Sequence, residues 1–357
     1  IGQFGIGLFS AFMLADLLVV ESRREDWAEG IRWEAGPGTS IQLSSSDRTE
    51  VGTSVRLYLK PQFRVMSESA EPLEAAIREY ADFLTVPIHL NGSSVRVNVI
   101  NVAWFDPTPD AESLELELAN YFNESPLDVI PIRVEKPASI AGALYISPQR
   151  TPGFADDSTV AVTVRRMVIS RRVRDLLPPW ATFLRGVLEL EDCSPTASRE
   201  DLVRDDRFQL VRSTLNEFLY THLEKMADEE PSRLEAIVNW HRYLLAGAAL
   251  AEPRLREVLS KVYRFRTSRG ALLFDELLQK STADALHETD AEFVIWYNAD
   301  RRQERYLDDV FASNPTPCVH VFRSFEENLL AAMISDRPEK EIDLRPATPS
   351  SANFADS

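Results

Sequence analysis

The residues best suited to chemistry stand at the front of the chain. Gly2, Gly5 and Gly7 sit among apolar residues and run into an apolar helical pattern from Phe9 to Ala15. Glycine admits positive φ and lets backbone N–H groups approach a ligand with no Cβ in the way. The first turn of the following helix adds unpaired N–H groups and a positive end. Such an arrangement suits phosphate. The same spacing also serves a simple tight turn into a helix, and spacing alone does not separate the two readings. A second candidate is Arg199, within Ser198-Arg-Glu-Asp-Leu202. Ser198 followed by Asp201 has capping-box spacing, with Asp in place of the usual Glu or Gln, and predicts a helix whose first position is Arg199. An always-charged forked donor at a helix start is good apparatus for a terminal phosphate. The plain alternative is a surface arginine paired with Glu200 or Asp201.

The wording of these segments is more specific than their spacing. GQFGIGLFSAFMLAD, residues 2–16, resembles the nucleotide-lid motif of the 90-kDa heat-shock protein chaperones, the bacterial HtpG type included. Leu177, Pro178, Trp180, Phe183, Arg185, Gly186, Val187, Glu191 and Asp192, followed by Ser198-Arg199-Glu200, resemble the core of that family's middle domain. Arg165 and Arg166 also match a family pair; alternation along a strand would put them on opposite faces, so both are read as structural or surface residues.

The resemblance implies an α+β chain: the back half of a GHKL-type (Bergerat) ATP-binding α/β sandwich, a middle domain with a ribosomal S5 domain 2-like αβ layer, and a smaller helical plus α/β subdomain. It implies ATP as ligand, with Mg2+ held by residues upstream and no metal ligand in this stretch. Gln3, Phe4, Gly5, Ile6 and Gly7 would hold phosphate, Thr53 would stand at the adenine end, and Arg199 would be catalytic at the γ-phosphate, an arginine finger in cis. One residue departs from the pattern. The family usually has a glutamine four residues after this arginine, where this chain has Val203, which donates no hydrogen bond.

On the same resemblance, a water-activating glutamate and an Asp-x-Gly-x-Gly motif would lie before Ile1, and a dimerisation domain after Ser357. The chain is therefore expected to be a fragment, monomeric and without ATPase activity alone, from a homodimeric protein. The expected function is that of an ATP-dependent chaperone for non-native or metastable client proteins. The alternative is a non-enzymatic interaction module that keeps the architecture without useful turnover. A DNA-repair or topoisomerase relative is a third reading, opposed by the charge and by Ser198-Arg199-Glu200.

Composition agrees with a soluble multidomain protein. The chain has 357 residues, 44% hydrophobic and 27% charged, long enough for two or three cores. Its net charge of −17, from 39 basic and 56 acidic residues, disfavours non-specific binding to nucleic acid or anionic lipid. No apolar run is long enough to span a bilayer. Two cysteines without metal-type spacing suggest a reducing, cytoplasmic setting, and the five histidines are scattered.

The elements that must position these residues follow from periodicity. Residues 1–99 read as the ATP-binding part, with strands at 17–22, 30–35, 40–43 and 53–60, the last opened by Gly52-Thr53. Pro72 begins a helix with Leu73, Ile77, Tyr80 and Leu84 on one face, and Asn91-Gly92 marks a hairpin. Residues 100–230 read as the large middle subdomain, opening on the Pro-containing segment 100–110. Strands at 140–147 and 159–170 precede an amphipathic helix over 205–226. Residues 231–340 read as a helical segment to Leu278, then a small, mostly parallel strand–helix–strand–helix layer. Residues 341–357, the end of a tail that turns polar at Ser335, read as linker or disorder.

Overall fold

The computed structural model describes residues 7–36, 38, 40–150, 159–198, 200–281 and 291–348. These residues form a mixed α/β architecture with three sheets, in two compact units: Ile1–Asp82 with Val86–Asn98, and Phe83–Thr85 with Val99–Ser357.

In the first unit, α1 (Gly7–Leu14) leads directly into β1 (Ala15–Arg23), followed by β2 (Gly30–Ala35), β3 (Ile41–Ser46) and β4 (Gly52–Leu59). The antiparallel sheet has the order β3-β2-β1-β4. β1 is internal, so its apolar run supplies the buried Leu18 and Val19. β4 alternates as expected, but Val55 and Leu57 remain 51% and 38% exposed. α2 (Glu71–Tyr80) has Pro72 in its first turn, yet it buries no residue. Its apolar periodicity says which face can be covered, and Leu73 and Tyr80 on that face are exposed. Asn91 and Gly92 both take positive φ, and the His89–Arg96 bridge closes the expected hairpin.

The second unit begins with α3 (Ala111–Phe122), capped by the Asp110 carboxylate, which accepts from Ser113 N–H. Five strands follow: β5 (Asp128–Val134), β6 (Ile140–Ile146), β7 (Thr159–Val164), β8 (Met167–Ser170) and β9 (Leu184–Leu190), in the order β5-β6-β9-β7-β8. Both faces of this sheet are buried. Leu144, Ile146 and Leu188 join one core, while Ala143, Tyr145 and Val187 join another with Trp104, Leu114 and Leu118. That is why β6 reads as an unbroken apolar run. β6 and β9 approach closely at Gly142 and Gly186, with φ of 144° and 147°; a Cβ on either would lie 2.1 Å from a carbonyl oxygen of the other strand. Arg165 and Arg166 are not strand residues. Both have positive φ and form the turn between β7 and β8, so the expected alternation does not apply. The Arg166 guanidinium lies 3.6 Å from the Phe105 ring centroid.

α4 (Asp206–Glu229) buries Phe208, Val211, Leu215, Leu219, Leu223 and Met226, the six residues its periodicity singles out. The remaining elements are α5 (Pro231–Trp240), α6 (Arg242–Ala248), α7 (Pro253–Val262), β10 (Phe265–Thr267), β11 (Gly270–Leu272), α8 (Phe274–Lys280), β12 (Phe293–Asn298), α9 (Glu304–Phe311), β13 (Cys318–His320), α10 (Glu326–Ser335) and β14 (Ile342–Pro346). Two expectations are corrected here. The sheet, ordered β11-β10-β13-β12-β14, is mixed: β12 is parallel to β13 and β14, but β10 is antiparallel to both its neighbours. And residues 342–346, expected as linker, form an edge strand on β12. The IDLRP segment gains its order from non-local parallel pairing, which local composition does not report.

Candidate functional site

The glycine-rich segment enters α1 at Gly7; Gln3, Phe4, Gly5 and Ile6 lie outside the described residues. The far end of α1 is fixed by Lys60, which follows β4. Its Nζ donates to the carbonyls of Phe12 and Met13 at 2.9 and 3.1 Å, and its backbone N–H donates to Leu14 O. A cation on the last carbonyls satisfies the helix C-terminus and complements its dipole. α1 therefore has its N-terminal end, the one suited to anions, directed away from this anchor. Thr53 is the second residue of β4. Its Oγ1 is 2.8 Å from Ser22 Oγ across the β1–β4 pair, and it is exposed. Gly52 before it has φ 123°, a conformation that favours glycine. Six residues of strand, ~20 Å, separate Thr53 from the Leu59 end beside the α1 anchor.

Arg199 also lies outside the described residues, between Ser198 and Glu200, which are described. β9 runs into Glu191 and Asp192, and Asp192 Oδ2 accepts from Ser139 N–H at 2.8 Å. Pro195 then bridges to Leu202 antiparallel, with Thr196 N–H donating to Asp201 O and Val203 N–H to Ser194 O. The capping box expected at Ser198 is not formed. Ser198 Oγ pairs with Thr196 Oγ1 at 3.1 Å, and Asp201 accepts from Leu202 N–H and pairs with Arg204. The next helix is α4, capped by Asp205, which accepts from Phe208 N–H at 3.0 Å. Asp205 shares the cap chemistry of Ser198 and lies seven residues later, directly before the apolar period begins. Val203 is 40% exposed. Cys193 beside the segment is buried, and burial first, then the charges of Asp205 and Asp192, pushes its thiol up to about 11, so it is no nucleophile.

Of the matched middle-domain residues, Arg185 holds both oxygens of Glu124 at 2.9 Å, and Tyr145 Oη donates to the same carboxylate at 2.8 Å. That is a structural pair. Trp180 is buried against Tyr220.

One cluster escaped the sequence reading. Glu304, Asp308 and His320 bring ligand-type atoms within 4.8 Å of one another. Glu304 and Asp308 have i,i+4 spacing on α9, and His320 comes from β13, so only the fold joins them. Asn298 Oδ1 accepts from Asp300 N–H, which turns its Nδ2 toward His320 Nδ1 at 3.3 Å. His320 Nδ1 is thus an acceptor, and Nε2–H donates to Asp308 Oδ1 at 2.8 Å. Arg266 lies 2.5 Å from Glu304. A metal on Nε2 would need the other tautomer, which Asn298 opposes. His320 is thus paired with Asp308, and Glu304 with Arg266.

Comparison with known proteins adds independent information. The family described as Hsp90 protein matches residues 117–280. The chaperone protein HtpG of Rhodopseudomonas palustris is 29% identical over 318 residues, covering 84% of this chain and 50% of the relative. HtpG of Chlorobium phaeovibrioides is 26% identical over 282 residues, 75% of this chain and 44% of the relative. The mitochondrial heat shock protein 75 kDa of Bos taurus is 28% identical over 282 residues, 75% of this chain and 39% of the relative. These matches support an Hsp90/HtpG-like family assignment. The chain spans about half the length of the curated relatives it matches, or less. Its mixed α/β architecture with several sheets is consistent with an Hsp90-like multidomain fold.

Proposed function

We propose that this chain is the nucleotide-lid and middle portion of an ATP-dependent molecular chaperone of the Hsp90/HtpG type. The observation that carries the reading is the order of two specific segments, GQFGIGLFSAFMLAD and, far downstream, FLRGVLELEDCSPTASREDL, in a chain with Hsp90-family relatives. On this reading residues 1–99 are the back half of a GHKL-type ATP-binding domain, 100–230 and 231–340 are the two middle-domain parts, the first with an S5 domain 2-like layer, and 341–357 follow them. Gln3, Phe4, Gly5, Ile6 and Gly7 hold phosphate, Thr53 stands at the base end, and ATP binds with Mg2+. Arg199 reaches the γ-phosphate when the two domains dock. Client proteins are the partners, the full-length protein is a homodimer, and its setting is the cytoplasm.

The Lys60 anchor supports the phosphate assignment, because it neutralises the C-terminal end of α1 and leaves the positive end for a ligand. Val203 favours a second reading, an interaction module without useful turnover, since an exposed valine cannot replace a donor at the phosphate. Protection of a heat-denatured model protein by the full-length protein, with and without ATP, separates the two. ATP-dependent suppression of light scattering is expected. Suppression identical with and without ATP leaves the interaction module.

A further inference from the structure

The second unit carries a cavity of 620 Å³ where α5 meets α6 and the segment after β13. Its wall includes Arg150, Trp240, Arg242, Tyr243, Phe322 and Arg323, and neither Asp nor Glu is among the described residues that line it. That is unusual in a chain whose net charge is −17. The volume lies within the range of sites that hold a small ligand or one to two side chains.

The aromatic groups are positioned. Trp240 Nε1 donates to Pro148 O at 2.9 Å, which fixes the indole, and the ring stays 39% exposed. Arg150 lies 4.6 Å from the Trp240 ring centroid, a cation–π distance, and pairs with no carboxylate among the described residues. Arg242 is held from behind: its guanidinium donates to Tyr263 Oη, Asn239 Oδ1 and Glu326 Oε1. Arg323 is 59% exposed and 3.7 Å from the same Glu326, which is 2% exposed. Two of the three guanidiniums, those of Arg242 and Arg323, therefore share one buried carboxylate, and Arg150 adds a third positive charge at the cavity wall. The neighbouring His241 adds none. Burial lowers its pKa to about 4, and Nε2–H donates to Ser147 O.

Converging guanidiniums recognise carboxylates, and exposed aromatic faces recognise apolar side chains. We propose that this cavity is a docking site for an acidic segment of a partner protein that presents an aromatic or aliphatic side chain between its carboxylates. A nucleic acid would offer anions and rings too, but as a long polyanion it meets the net negative charge of the whole chain. A short segment meets mainly the local field. The site needs neither ATP nor Arg199, so it stands or falls apart from the nucleotide reading.

The test is fluorescence anisotropy of a fluorescein-labelled peptide, Glu-Asp-Phe-Asp-Glu-Leu, with the full-length protein and no nucleotide. Saturable binding is expected, weakened at least ~10-fold by Arg150→Glu or Arg323→Glu and by added salt. Arg24→Glu, an equal charge change at an exposed pair in the other unit, should leave it unchanged. The peptide with Gln and Asn in place of its acids, and the one with Ala in place of Phe, should each bind at least ~10-fold more weakly, which keeps the test independent of folding. No binding by the wild type, equal binding by the charge-reversed proteins, or displacement of the peptide by labelled oligo(dT) at lower concentration than unlabelled peptide would each overturn the proposal.

Discussion

Gly186→Ala should unfold the second unit well below the wild-type transition. The perturbation is a single methyl group, but the structure leaves it nowhere to go. An added Cβ would stand 2.1 Å from Ala143 O and 2.9 Å from Leu144 Cα, both backbone atoms of β6. No rotamer moves a Cβ, so the β6–β9 pair must separate or twist. The φ of 147° adds strain for any L side chain. Strain of this kind costs about 1–3 kcal/mol, and forced overpacking about 1–3 kcal/mol more. The expected loss is thus about 4 kcal/mol, roughly 10 °C in Tm for a unit of this size. Gly270→Ala isolates the clash: Gly270 has φ 94° in the same unit, but nothing within 4 Å of its missing Cβ. It should lose only the strain, about 1 kcal/mol. Urea and thermal unfolding followed by near-ultraviolet circular dichroism give both values. A Gly186→Ala loss no larger than that of Gly270→Ala would refute the close approach of the two strands. The consequence for function is direct, because β9 leads into the segment that carries Arg199.

Two further outcomes follow from buried titratable groups. His241 has a pKa lowered by burial to about 4, against 6.5 for an ordinary histidine. Between those values the unfolded chain binds a proton that the folded chain refuses, so stability is full above pH 6.5 and falls as pH drops toward 4, by at most ~3 kcal/mol. Tm against pH should be flatter across that window in His241→Asn, and an identical slope would contradict the burial argument. Burial also pushes the Cys193 and Cys318 thiols up to about 11 and about 12, so both should resist a thiol reagent at pH 7.5 until urea unfolds the chain. Rapid stoichiometric labelling of the folded protein would count against it.

What was legible in the sequence is what local pattern controls. α4 appeared from its period, with the six predicted residues buried. β1, β2, β6 and β12 appeared from apolar runs or alternation, and the Asn91-Gly92 turn from its residue pair. Non-local events were not legible. β14 is ordered by parallel pairing with β12, and the Glu304, Asp308 and His320 trio exists only because α9 packs beside β13. Arg165-Arg166 reads as strand because positive φ at arginine has no sequence signature, unlike the same turn at Asn91-Gly92. Ser198 and Asp205 offer the same capping chemistry, and only the start of the apolar period at Phe208 selects the second. The residues of the candidate site are legible only by resemblance: Thr53 and Gly7 look ordinary in isolation, and so does a single arginine.

The central claim is that Arg199 acts on a nucleotide held by the glycine-rich segment. The direct measurement is ATP turnover by full-length wild type and Arg199→Ala, with nucleotide affinity and Tm taken on the same samples. A guanidinium aligned on the γ-phosphate acts mainly in the transition state, so turnover should fall on the order of a hundredfold or more. Affinity and Tm should change little, and Arg199→Lys should rescue poorly, because a point charge lacks the fork. Unchanged turnover in a folded Arg199→Ala protein that still binds ATP would contradict the account and make Arg199 a surface residue.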